Sequence, residues 1–215
     1  MGNTNSVSFE LQTPSQPLVV VSEKYINQSF ITLELTRTKS NGQAFYTAIN
    51  LENGSSMFQF QEDLDEHLQF STMSLFDLQD KELVLSKIRY EELFFPTICT
   101  ISRFTDVPLG QVSDELIYSK VSIDNKKLRG TIRTLSNQTH NVQILLKERT
   151  GYVEGVLFIG DPKNGGIGVA SCKRNNRDNS WILQAVPNID LAFALSVGII
   201  MLKEYKRYKK LQYTM

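Results

Sequence analysis

Two histidines and two cysteines are the residues of this 215-residue sequence best suited to metal or nucleophilic chemistry. They are His67, His140, Cys99 and Cys172. A structural zinc site needs four such ligands in close groups, and these four are scattered along the chain. A Cys–His nucleophilic pair needs the side chains within hydrogen-bond reach, which sequence spacing does not supply. Each reads as a buried cysteine or a surface histidine. The stretch NGGIG at 164–168 is glycine-rich, but a phosphate loop must open a helix. The residues that follow, Val169, Ala170, Ser171 and Cys172, read as strand, so a hairpin turn is expected. EDLDE at 62–66 and the pair Asp124-Asn125 do not fit the twelve-residue calcium loop, and they read as solvated turns. The expectation is a protein with no catalytic residues, no metal and no cofactor.

Two other features have a defined chemistry. The N-terminus, MGNTNSVSF, exposes Gly2 once Met1 is removed and places Ser6 four residues later. That spacing matches the N-myristoylation pattern. One myristoyl chain holds a bilayer only marginally, so a second signal is needed. No cysteine lies near Gly2, which leaves basic residues to supply it. They fall in three groups: Lys126, Lys127, Arg129 and Arg133; Lys147 and Arg149 with Lys173, Arg174 and Arg177; and Lys206, Arg207, Lys209 and Lys210 beside Lys203. Basic residues near an anionic surface contribute about 1 kcal/mol each. Tyr205, Tyr208 and Tyr213 interleave with the last group and suit interfacial depth. The first two groups, on neighbouring strands, could form a cationic pocket for a phosphoinositide head group.

The rest of the sequence must position these groups. Basic and acidic residues balance at 23 each, and 41% of residues are apolar. That composition suits a globular domain with its own core. Zero net charge gives no general attraction to nucleic acid, so only local patches can attract anions. Two distant cysteines and a polar N-terminus lead to the expectation of a reducing compartment and no secretory signal. Glycosylation-type triplets at Asn27, Asn53 and Asn137 then read as turns.

Between 191 and 202, ten of twelve residues are apolar, and they cover all sides of a helix. The run spans about 18 Å, too short for a bilayer core of about 30 Å. A helix apolar all round belongs in an interior. Pro187, then Asn188 as N-cap and Asp190 in the first turn, mark its start. The body before it reads as thirteen short strand candidates: 18–22, 29–38, 43–51, 56–61, 68–77, 81–88, 97–104, 115–123, 127–135, 141–149, 152–159, 166–173 and 180–186. Regular short strands with turn signals argue for a sandwich or barrel. One wholly apolar helix fits a closed antiparallel barrel threaded by that helix.

Three stretches carry a resemblance. LVVVSEKYINQSFITLELTRT resembles the opening strands of the LURP-one-related proteins, TMSLFDLQDKELVLSKI their strand-turn-strand stretch, and SWILQAVPNIDLAFALSVGIIMLKEY their closing strand, turn and central helix. The resemblance spans about residues 17–205. It implies the fold shared by tubby C-terminal domains and phospholipid scramblases, a mainly β barrel of about twelve antiparallel strands around a hydrophobic C-terminal helix. The organisation expected is a flexible tail over 1–16, the barrel over 17–207 with its helix at about 188–207, and a second tail over 208–215. Gly2 to Gln16 would act as a tether of about 20 Å reach.

The resemblance implies a non-enzymatic protein that binds anionic phospholipid or phosphoinositide, since tubby domains bind such lipids. With myristate at Gly2, it would be a cytoplasmic, peripheral membrane protein. A soluble protein-interaction adaptor and a scramblase-like lipid translocator are the alternatives. No nucleic-acid partner is expected.

Overall fold

The computed structural model describes residues 10–40, 43–65, 70–79, 86–91, 98–103, 119–124, 127–149, 152–174 and 180–214. The strands are β1 (Ile31–Ser40), β2 (Gln43–Asn50), β3 (Ser56–Asp65), β4 (Phe70–Asp77), β5 (Ser86–Glu91), β6 (Ile98–Arg103), β7 (Ser119–Asp124), β8 (Lys127–Arg133), β9 (Thr139–Arg149), β10 (Tyr152–Ile159), β11 (Ile167–Arg174) and β12 (Trp181–Ala185). One helix, α1 (Leu191–Thr214), follows them. The protein is therefore mainly β, with a single antiparallel sheet and a C-terminal helix. Neighbours in sequence are neighbours in the sheet, and β12 also pairs with β1, so the pairing order returns to its first strand.

The strands form because their apolar residues recur with period two. On β1, Ile31, Leu33 and Leu35 are buried while Thr32, Glu34 and Thr36 are less so. The register carries that face sideways: Leu33 lies opposite Leu183 and Leu35 opposite both Trp181 and Ala48. Tyr46, Phe58, Phe60, Met73 and Leu75 extend the same inner face through β2, β3 and β4.

Helix α1 fills the space over that face. Residues 191–202 are all buried. The helix packs against β10, β11 and β12, and also against β5, on the far side of the pairing order from β11. Two glycines allow its close approach. A Cβ on Gly198 would meet Leu183 Cδ1 at 2.6 Å, and one on Gly155 of β10 would meet Met201 Sδ at 2.5 Å. Ser196, the one hydroxyl in the apolar run, donates to the Ala192 carbonyl at 2.8 Å. Its burial therefore leaves no unmet donor.

The helix start differs from the sequence expectation. Asp190, not Asn188, is the cap: its Oδ1 accepts the N–H groups of Ala192 at 3.0 Å and Phe193 at 3.2 Å. Asn188 instead takes a left-handed backbone at φ 66°. The other carboxylate oxygen, Oδ2, accepts the N–H groups of Val20, Val21 and Ser22. This explains why 18–22, apolar and β-branched, is not a strand. The N–H groups of Val20, Val21 and Ser22 are satisfied by a carboxylate instead of a ladder, and Leu18 N–H donates to the Asn188 carbonyl in an isolated bridge. Burial pushes the Asp190 carboxyl up from its usual range, and the donors of Val21, Ser22, Phe193 and Val20 pull it back. Asn27 locks the same turn. It donates to the Val186 carbonyl and accepts from Ile189 N–H, so the Asn27 side chain is buried while Gln28 and Ser29 lie exposed in a bend.

The tails also differ from expectation. Leu11 bridges to Gly168 in parallel, Gln12 N–H donates to the Gly168 carbonyl at 2.7 Å, and Asn188 Nδ2 donates to the Pro14 carbonyl at 3.1 Å. The segment from Leu11 onward is held against the sheet, so a free tether cannot run to Gln16. At the other end α1 continues to Thr214, through residues expected as a tail.

Candidate anion site at the helix exit

The inner face of the sheet stops being apolar at one end. On β1 the inward series Ile31, Leu33, Leu35 is followed by Arg37. On β3 Phe58 and Phe60 are followed by Glu62, and on β11 Ala170 and Cys172 by Arg174. Each charged residue keeps the phase of the core positions before it. The helix leaves the sheet at this end and brings Lys203, Tyr205 and Lys206 among them.

The contacts are specific. Lys203 pairs with Glu62, and both are shielded, at 16% and 9% exposure. Lys206 Nζ donates to Tyr46 Oη at 3.1 Å and lies 5.3 Å from the ring centroid. Arg37 stands 5.8 Å from the same ring. Across the opening, Arg174 Nη1 donates to Tyr205 Oη at 3.1 Å, its guanidinium is 5.6 Å from that ring, and Trp181 packs edge-on to Tyr205 at 5.5 Å. Cation-to-ring distances within about 6 Å are attractive.

The electrostatics are those of a crowded cationic site. Burial pushes the Tyr46 hydroxyl up to about 12. Lys206 is an exposed residue whose Nζ meets the hydroxyl of buried Tyr46. Burial first, then repulsion from Arg37 and Lys203, lowers it to about 8, while Glu62 opposes the shift. The described charged groups here are Arg37, Arg174, Lys203 and Lys206 against Glu62 and the buried Glu204.

The sequence candidates are distributed differently from the pocket expected. Lys127, Arg129 and Arg133 share the outward face of β8, opposite in phase to buried Leu128 and Ile132. Lys147 and Lys173 also lie outward, with Glu154 of β10 paired between them. Arg174 does not join them. It is adjacent to Lys173 in sequence and so points to the opposite face, inward to Tyr205. The basic groups on β9 and β11 are thus split across two faces. Lys206 joins the inward site. Gly2, Lys126 and Arg177, and the side chains of Arg149, Arg207, Lys209 and Lys210, lie outside the described residues.

The remaining residues of chemical interest are placed as follows. Glu62 is a buried strand residue rather than a solvated turn. Residues 162–166 form a turn between β10 and β11, with Gly165 left-handed. Cys172 is fully buried, and burial pushes its thiol up to about 12. His140 is half-buried on β9, and His67 lies outside the described residues. Among the described residues no group of three or more His, Cys, Asp or Glu is placed to hold a metal, and no helix is long and apolar enough to cross a membrane. Lys203 was found as one of the C-terminal basic run, whereas Arg37 and Tyr46 were missed and Glu62 read only as a turn. The signal of Arg37 and Glu62 was a charge in core phase at the end of an apolar alternation.

No family model matches the chain, and neither a curated protein nor a solved structure matches it.

Proposed function

We propose that the chain is a non-enzymatic, membrane-associated protein of the LURP-one-related, tubby-like kind, N-myristoylated at Gly2 and binding anionic phospholipid or phosphoinositide at the cytoplasmic leaflet. In this reading the sheet is a barrel and α1 its central helix. The closed pairing order and the packing of α1 against both β11 and β5 support that architecture.

One relationship carries the functional reading. Leu11, where the N-terminal segment docks, bridges Gly168. Gly168 lies in one register row with Phe158, Gln143 and Arg129. Arg129 is therefore three strand spacings from the docking point, about 14 Å at about 4.8 Å each. An acyl chain on Gly2 and the outward cations Lys127, Arg129 and Arg133 would approach a bilayer from the same side. That is the two-signal arrangement a single myristate requires.

The test is membrane partition of the myristoylated wild type, Gly2→Ala and Arg129→Gln/Arg133→Gln. Each variant is expected to shift towards the soluble fraction. Equal partition of all three would remove the membrane reading. No binding to any vesicle would favour the soluble adaptor instead, and lipid transfer between leaflets in a reconstituted assay would favour the translocator.

A further inference from the structure

We propose that residues 7–9 of this chain form an extended strap that docks on the outer face of β9 and β10, with Phe9 against Phe158. The described residues supply the surface and the point where the strap reaches it. The docking goes beyond the membrane reading and does not need Gly2 to be acylated.

Three observations support it. The first is burial on the outer face. Leu157, Ile144 and Leu128 form an inward row across β10, β9 and β8. Phe158, Gln143 and Arg129 are the next row and face outward, as Val156 does one row further on. Arg129 is exposed, with Thr131 and Arg133 beyond it. Phe158 is 2% exposed, Val156 0% and Gln143 8%. One face of an antiparallel sheet packs on the core and the other is commonly solvated, so burial here calls for a cover.

The second is where the chain comes in. Leu11 bridges Gly168, which lies opposite Phe158. A Cβ on Gly168 would meet Val156 Cγ1 at 3.3 Å, the Glu10 carbonyl oxygen at 3.4 Å and Leu11 Cδ2 at 3.5 Å. Glu10 and Leu11 thus begin the cover, and Phe9 is one residue back, about 3.8 Å between Cα atoms. The sequence continues the pattern in that direction: Val7, Phe9 and Leu11 alternate with Ser8, Glu10 and Gln12. Leu11 is half-buried between exposed Glu10 and Gln12. A period of two puts Phe9 and Val7 on the face of Leu11.

The third is an acceptor. Gln143 Oε1, buried in the outer row beside Phe158, meets no donor among the described residues. An unmet buried acceptor is costly. A segment laid over this row brings backbone N–H groups, and Ser8 a hydroxyl, to meet it.

Docking also sets the reach of the N-terminus. Gly2 is five residues from Val7, at most about 17 Å when extended. It would stay on the side of Arg129 instead of sweeping the whole surface.

The test uses the full chain made without a myristoyltransferase. NMR of protein with labelled phenylalanine and valine should show nuclear Overhauser contacts from the Phe9 ring to the Phe158 ring and the Val156 methyls. Their absence overturns the docking. Contacts found only between differently labelled copies also overturn it, and assign the face to a second copy's segment. Thermal unfolding of Phe9→Ser, Phe158→Leu and the double variant gives an independent arm. Phe9→Ser should lower the melting temperature by about 5 °C, and the double variant should melt close to the lower single. Phe9→Leu, which keeps an apolar contact, should recover most of the loss. An unchanged melting temperature in Phe9→Ser, or fully additive losses, overturns the proposal. Val156→Ala replaces Phe158→Leu in the cycle if that variant does not fold. Unchanged membrane partition in Gly2→Ala would remove the lipid anchor and leave these contacts in place, so the two readings fail separately.

Discussion

Asp190 Oδ2 accepts the backbone N–H of Val20 at 3.1 Å, although the two residues are 170 positions apart. With Val21 and Ser22 on the same oxygen and Ala192 and Phe193 on the other, one carboxylate ties the N-terminal segment to the start of the helix. Asp190→Ala should leave buried donors unmet and destabilise the protein by about 3–5 kcal/mol. Asp190→Asn keeps the volume but turns an amide towards some of the donors, so it should lie between the two. Urea unfolding with a constant slope would check the order.

Gly198 should resist the usual helix rule. An exposed Gly→Ala change in a helix stabilises by about 1 kcal/mol. Here the new methyl would meet Leu183 and sit beside Cys172 and Leu35. Overpacking should win and cost about 1–3 kcal/mol. Gly155→Ala, against Met201 and Leu146, should fall in the same range. Thermal unfolding of both variants tests this, and a raised melting temperature for Gly198→Ala would show the helix to be less tightly enclosed.

Lys206 should titrate near pH 8, below its ordinary 10.5. The folded state gives up this proton more readily than the unfolded chain. The group's contribution to stability is therefore lowest and flat below pH 8, and rises as pH increases from about 8 to 10.5. The residue is exposed, so solvent screening makes this change small. The direct readout is NMR of carbon-13-methylated lysines, with one resonance titrating near pH 8 and absent in Lys206→Gln.

Cys172 should be inert in the native protein. Its thiol is fully buried and pushed up to about 12, so the reactive thiolate is scarce. Labelling followed by peptide-resolved mass spectrometry should show modification of Cys172 only at the rate of unfolding. Rapid labelling in native buffer would contradict the packing of β11 against α1.

Much of the fold was legible because its signals are local. The alternation in β1, β2 and β12 comes from neighbours along the strand, and the run 191–202 announces burial by being apolar on every side. The segment 18–22 was misread because its partner is a side chain from the far end of the sequence. No propensity of Val19, Val20 or Val21 encodes that. The site was legible only in part. Lys206 was found as one of a run, but Arg174 was grouped with Lys173 by proximity, although neighbours on a strand point to opposite faces. Arg37 lies outside the basic runs and Glu62 in an acidic stretch that reads as a turn, and only sheet register brings them to the helix.

The order in which the ribosome makes this chain gives the buried helix one more consequence. Every described strand is synthesised before the helix that packs on the sheet. At about 5–20 residues per second, the 24 residues of α1 take seconds to emerge, and until then the apolar face of the sheet has no helix to pack against. Newly made chains should therefore spend that interval as clients of chaperones, and interrupted synthesis should yield fragments that are degraded rather than stored.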